Sequence, residues 1–161
     1  MGADGDLVAT RLARGCRCFG VWRDGELAGY GWLSTDAEWI GELQLEIKPG
    51  AGEAYIWNCF TLAQHRRRGV LRALLAGIRE RAHSEGMKRV WIGSVAIPAE
   101  RAFGPSGFNP ALAMTSVRFA GFHWLQVRPA DGADPALVAA AQDVVATRPR
   151  WYLRRSRRRR H

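Results

Sequence analysis

Between Ala54 and Ala96 the hydrophobic period changes twice, which restricts the chain to folds that contain a strand–helix–strand unit. Ala54–Leu62, AYIWNCFTL, is a strand-length run rich in aromatic and β-branched residues. After Gly69, Leu71, Leu74, Leu75, Ile78 and Ala82 recur at the spacing of a single helical stripe. Arg72, Arg79, Glu80 and Arg81 fall largely off that stripe, toward water. Gly86 stands where a helix cap belongs, because glycine accepts the left-handed conformation that ends many helices. Arg89–Ala96, RVWIGSVA, reads as the next strand. The tight turn at Gly86 predicts a crossover, with two parallel strands and the helix lying against their sheet.

The flanks supply further strands. Cys16–Trp22 and Glu26–Leu33 enclose Arg23-Asp24-Gly25, and Asp-Gly between apolar runs marks a hairpin. A third strand, Glu38–Lys48, ends at the turn cluster Pro49-Gly50-Ala51-Gly52. Beyond the crossover come a short helix around Pro98–Phe103, then Gly107-Phe108, then strands near Ala111–Phe119 and Phe122–Val127. Asp131–Thr147 reads as a mildly amphipathic helix. The class is α/β (α+β): a mixed, mostly antiparallel twisted sheet with a central β-α-β crossover. At 161 residues the chain can bury one core without disulfides or metal. We expect one domain over residues 1–147 and a disordered arginine-rich tail over 148–161.

Charge and cysteines narrow the chemistry. The net charge of +9 comes mostly from eight arginines after Thr147, ending in RRSRRRRH. Such a run can contact nucleic acid or another polyanion, and the plain alternative is a solvated terminus. The three cysteines, Cys16, Cys18 and Cys59, form no CxxC pair, which argues against a zinc site or a disulfide framework. Cys16 and Cys18 read as small buried residues on one strand face. No apolar run is long enough to span a bilayer, and the start, MGADGDLVATRLARG, lacks the apolar core of a signal peptide. A cytoplasmic protein is the expectation.

The stretch that promises chemistry is Thr61–Arg72, TLAQHRRRGVLR, lying between a strand and the start of a helix. The first amides of a helix have no partner within it, and the macrodipole adds partial positive charge there. A diphosphate suits such a place. Gly69 permits close approach, and Arg66, Arg67 and Arg68 add charge.

This stretch resembles motif A of the GCN5-related N-acetyltransferases, in which a strand leads into Arg/Gln-x-x-Gly-x-Gly/Ala at the start of a long helix. Arg66, Gly69 and Leu71 occupy those three positions. The order of elements from Cys16 to Val127 is also similar, including the strand after the helix and the Gly107-Phe108 pair. The departures are Leu71 for the second Gly/Ala, Ala96 for a usual Asn, and Phe103 where many members carry a Tyr that protonates the departing thiolate. The family's opening strand and two helices are also shortened here to about fifteen residues.

The resemblance implies a GNAT-like acyltransferase fold and acetyl-CoA as co-substrate, with no metal. It implies that the backbone of Cys59, Phe60 and Thr61 meets the pantetheine arm. Arg66, Arg67, Arg68, Gly69, Val70, Leu71 and Arg72 would hold the diphosphate. An amine, on a small molecule or a peptide, would attack the thioester directly. Glu42, Glu46 and Glu53 are candidate bases, and Glu42, Gln44 and Glu46 would share one strand face. His65 reads as a phosphate neighbour or a solvent-facing group rather than a base. Asn58, polar within an apolar strand, calls for a hydrogen-bond partner. The short front admits a homodimer or a further domain that completes the acceptor wall. A catalytically silent module of the same shape, or a nucleic-acid-associated protein acting through the tail, are the competing readings.

Overall fold

The crossover forms where the period changes. In the computed structural model, which describes residues 2–94, 97–120, 122–145 and 154–155, β5 (Glu53–Thr61) leads through a loop into α2 (Val70–Ser84) and then β6 (Arg89–Ile92). β5 and β6 pair in parallel from Glu53↔Arg89 to Ile56↔Ile92. The hairpin of β1 (Arg17–Arg23) and β2 (Glu26–Ser34) completes an antiparallel flank, giving the order β1-β2-β5-β6. β6 is shorter than expected: Gly93 and Ser94 fall outside the strand, and residues 95–96 lie outside the described residues. Ala96 and residues 148–153 and 156–161 lie outside the described residues.

The buried stripe of α2 is Val70, Leu74, Leu75, Ile78 and Ala82, with Leu71 half-buried at its margin. Leu33, Ile56, Leu75 and Ile78 are fully enclosed and form the core between sheet and helix. Replacing one such side chain by Ala costs about 2–5 kcal/mol. Glycines on β2 set the helix close to the sheet. A Cβ on Gly29 would fall 2.8 Å from Val70 Cγ1, and one on Gly31 would fall 3.0 Å from Leu74 Cδ2. The helix ends as its sequence suggests. The Gly86 amide donates to His83 O (2.9 Å) and the Met87 amide to Ala82 O (3.0 Å), a Schellman motif with Gly86 at φ +78°.

The other face of this sheet carries Tyr30, Trp32 and Trp57, with buried Cys16 beside them. A six-residue helix, α1 (Val8–Ala13), covers it through Val8 and Arg11. Arg14, just past α1, pairs with buried Glu38 at 3.0 Å. Cys18, expected to be buried with Cys16, is exposed.

The chain divides into two compact units. The elements above belong to one, made of residues up to Glu38 together with Lys48–Phe108. It also holds α3 (Ile97–Glu100) and the half-buried pair Phe103 and Phe108, whose ring centroids are 6.4 Å apart. The second unit is Trp39–Ile47 with residues from Asn109 onward. Here the single strand expected over Glu38–Lys48 is instead a small hairpin, β3 (Glu38–Ile40) and β4 (Leu45–Ile47). Gly41–Gln44 form the turn, Gln44 adopting φ +51° and donating its amide to Gly41 O. The common face expected for Glu42, Gln44 and Glu46 therefore does not exist.

β7 (Leu112–Phe119) and β8 (Phe122–Pro129) form a regular antiparallel pair, and β9 (Arg154–Arg155) joins β8. α4 (Pro135–Val144) starts later than the sequence suggested. Asp134 caps it by accepting from the Leu137 amide (2.8 Å), with Pro135 at the first helical position. Among the described residues, no helix is long and apolar enough to cross a membrane.

Candidate functional site

β5 is straight only in its first half. Tyr30 faces Phe60 and Trp32 faces Trp57, so Asn58 and Cys59 together oppose Gly31 and make a β-bulge. Asn58 takes φ +45°, a conformation Asn tolerates better than most residues. The bulge falls just past Ile56↔Ile92, the last pair with β6. From Trp57 to Thr61 the edge of β5 away from β2 meets no strand among the described residues. The peptide groups of Cys59, Phe60 and Thr61 thus lie along an opened strand edge, where an extended ligand can hydrogen-bond.

The following loop turns tightly. Leu62 donates to Ala28 O (3.0 Å), His65 to Leu62 O (2.9 Å) and Arg66 to Ala63 O (3.3 Å). Arg67 at φ +59° and Gly69 at φ +76° are both left-handed, bracketing Arg68. The strain at Arg67 left no trace in its residue type, since any L side chain disfavours that conformation. Ala73 is the first α2 residue whose amide finds a helical carbonyl, Gly69 O at 2.9 Å. The amides of Val70, Leu71 and Arg72 are the orphan donors of the helix start. A Cβ on Gly69 would meet nothing within 4 Å, so the space before these amides is open. Leu71 packs partly against the core, leaving its amide as the group it presents.

Charge matches this geometry. Arg66, Arg67, Arg68 and Arg72 are exposed, and among the described residues none has a carboxylate partner. No acidic residue lies in the first turn of α2. Four uncompensated guanidinium groups around open amides fit a diphosphate far better than they fit one another. Of the two roles expected for His65, phosphate neighbour or solvent-facing group, the second does not hold. The side chain is buried, and neither ring nitrogen has a partner among the described residues.

Residues 4–104 match the acetyltransferase (GNAT) family. The chain belongs to that family. No curated protein matches it. A protein of Agrobacterium tumefaciens str. C58 described as an acetyltransferase is 20% identical with a TM-score of 0.52, over 74% of this chain and 80% of that one. AAC(6′)-Iy bound to the bisubstrate analogue CoA-S-monomethyl-acetylneamine is 16% identical, TM-score 0.52, over 73% and 83%. A Bacillus subtilis acetyltransferase solved with CoA is 19% identical, TM-score 0.50, over 71% and 64%. At these identities the likeness is one of fold. As a GNAT acetyltransferase, the protein draws its acetyl group from acetyl-CoA.

Other expected site residues are placed as follows. Glu53 begins β5, at the end of the strand away from the loop. Its carboxylate pairs with Arg89, accepts from Trp91 Nε1 (2.8 Å) and accepts from the Gly50 amide (3.2 Å). Burial pushes its pKa up, but the Trp91, Gly50 and Arg89 donors outweigh burial and hold it below the usual carboxylate range. Both oxygens are committed, which suits a structural ion pair better than a base. Glu42 lies in the turn between β3 and β4, and exposed Glu46 lies on β4, both in the second unit. The Cys59 side chain packs against the α2 core, and burial pushes its thiol up to about 12, so it stays protonated at neutral pH. Phe103 also turns into that core.

Proposed function

We propose that the protein transfers an acetyl group from acetyl-CoA to the amine of a small molecule by direct attack within a ternary complex. The observation that carries this reading is the start of α2. There, Gly69 leaves open space before three amides and four arginines that find no helical or anionic partner among the described residues. Arg66, Arg67, Arg68 and Arg72 would hold the diphosphate of the cofactor together with the amides from Gly69 to Arg72. The bulged edge of β5, at Cys59, Phe60 and Thr61, would align the pantetheine arm.

The amine nitrogen attacks the thioester carbonyl, forming a C–N bond. The C–S bond breaks, and CoA leaves as a thiolate that takes up a proton. The amine gives up its proton to a carboxylate or a bound water. Holding both reactants in line replaces a bimolecular encounter, an advantage equivalent to molarities of roughly 10⁵ M or more. The protonated thiol of Cys59 supports direct transfer over a covalent cysteine intermediate. A small-molecule acceptor is supported by AAC(6′)-Iy, crystallised with an acetylneamine analogue.

A second reading follows from the resemblance, which sets Phe103, a ring packed on the core, at the position where many members carry a Tyr that protonates the thiolate. On that reading the domain binds CoA without turning it over. Calorimetry with acetyl-CoA, followed by a thiol-release assay across an amine panel, separates the two. Binding without thiol release from any amine supports the silent module. No binding at millimolar acetyl-CoA removes both readings.

A further inference from the structure

On the sheet face away from α2 lies a group of hydrogen-bond donors that meet no acceptor among the described residues. Arg11 is only 7% exposed and sits between two indoles, its Cζ 4.5 Å from the Trp57 ring centroid and 5.1 Å from that of Trp32. Arg11 Nη1, Trp32 Nε1 and Trp57 Nε1 are all buried and have no hydrogen-bond partner among the described residues. Stacking on the rings satisfies the face of the guanidinium but not the N–H groups at its edge. Guanidinium and indole have no acceptor atoms, so the members of the cluster cannot satisfy one another. Arg11 enters no ion pair among the described residues, and Glu38 is already taken by Arg14. A group that completes this set must bring several acceptor lone pairs and a negative charge, and a carboxylate brings both.

The cluster is also well placed for chemistry. Trp57 directly follows Ile56, the last β5 residue paired with β6, so it borders the opened edge at Cys59–Thr61. The cover is light. α1 has only six residues, and Leu12 on it and Leu7 beside it are about half exposed.

We propose that Arg11, with the indole N–H groups of Trp32 and Trp57, binds a carboxylate on the acceptor, so that the substrate is an amine that also carries a carboxylate. This rests on the acetyltransferase reading above and names the acceptor class for that site. Arg11 is a specificity-determining residue, not a participant in the bond exchange.

The test measures kcat/KM by thiol release for matched amines with and without a carboxylate: phenylalanine against phenethylamine, tyrosine against tyramine, lysine against cadaverine. 4-Aminobutyrate against propylamine tests a carboxylate held further from the nitrogen. At least one pair is expected to favour the acid by roughly thirtyfold, the loss typical of one charge-assisted hydrogen bond. In Arg11→Gln that ratio is expected to fall toward one, while calorimetry still detects acetyl-CoA binding. Absence of a preference in every pair, or a preference undiminished in Arg11→Gln, overturns the proposal. If Arg11→Gln does not fold, Trp57→Phe removes one donor, and the ratio is expected to drop several-fold. Hydrocinnamate, which lacks the amine, is then expected to compete with phenylalanine in the wild type, and failure of both results overturns the proposal. Thiol release without a carboxylate preference removes this inference alone. Absence of acetyl-CoA binding removes the acetyltransferase reading with it.

Discussion

Gly69→Glu is the sharpest probe of the anion loop, because structure separates its effects on folding and on binding. The new Cβ meets open space, so no side chain has to move. What remains is backbone strain, since Gly69 sits at φ +76° and an L residue there costs about 1–2 kcal/mol. For a domain of this size that lowers the melting temperature by a few degrees and leaves it folded.

Binding should suffer more. A carboxylate about 6 Å from each of two phosphates repels each by about 0.7 kcal/mol in bulk water and about 2.8 kcal/mol at a protein-surface dielectric near 20. Even the lower limit sums to about 1.4 kcal/mol, a tenfold weaker acetyl-CoA dissociation constant. Gly69→Gln carries the same strain and bulk without charge, so the Glu–Gln difference isolates the electrostatic part. That difference should narrow as salt rises from about 0.05 to 0.5 M, because screening shortens the reach of the carboxylate. Calorimetry gives both constants. If Gly69→Glu binds acetyl-CoA as tightly as wild type, the diphosphate does not sit at this turn.

Three further outcomes follow from the packing and ionisation. Glu53 has a depressed pKa in the fold, so its stabilisation is present above the ordinary carboxylate range and is lost as pH falls through it. Glu53→Gln should therefore cost about 1–2 kcal/mol near pH 7, with half-exposed Arg89 limiting the value, and should flatten the acid limb of a pH–stability curve; an unchanged limb refutes the pairing. Alkylation of the native protein at pH 7.5 should modify exposed Cys18 well before Cys59, as read by peptide mass spectrometry. Rapid labelling of Cys59 would contradict its buried, protonated state. If the basic tail binds nucleic acid, deleting the residues after Thr147, which removes eight arginines, should abolish salt-sensitive RNA or DNA binding while leaving acetyl-CoA affinity within about twofold; RNA binding that persists in the deletion would place that surface elsewhere.

The sequence by itself determined the crossover, because its signals are local. The switch from AYIWNCFTL to a helical stripe, the glycine at 69 and the Schellman glycine at 86 each act through residues within a turn of themselves. The same locality made the anion loop legible, since free amides at a helix start depend on nothing distant. Asn58 stood out as a polar residue in an apolar strand, although only the pairing with Gly31 shows it to be a bulge.

Where a backbone reversal lacks glycine, the sequence is silent. Gln44 breaks the strand expected over Glu38–Lys48, and Arg67 takes a left-handed turn, both in residue types that carry no such signal. Tertiary structure alone decided the partners of charged groups. Glu53 reads as a free carboxylate until β6 brings Arg89 and Trp91 beside it. Nothing in the sequence singles out Arg11, and only the sheet sets Trp32 and Trp57 on either side of it. Hydrogen bonding and charge pairing act over a few ångströms in space, and a chain folded into sheets places at that distance residues many positions apart, which no local pattern records.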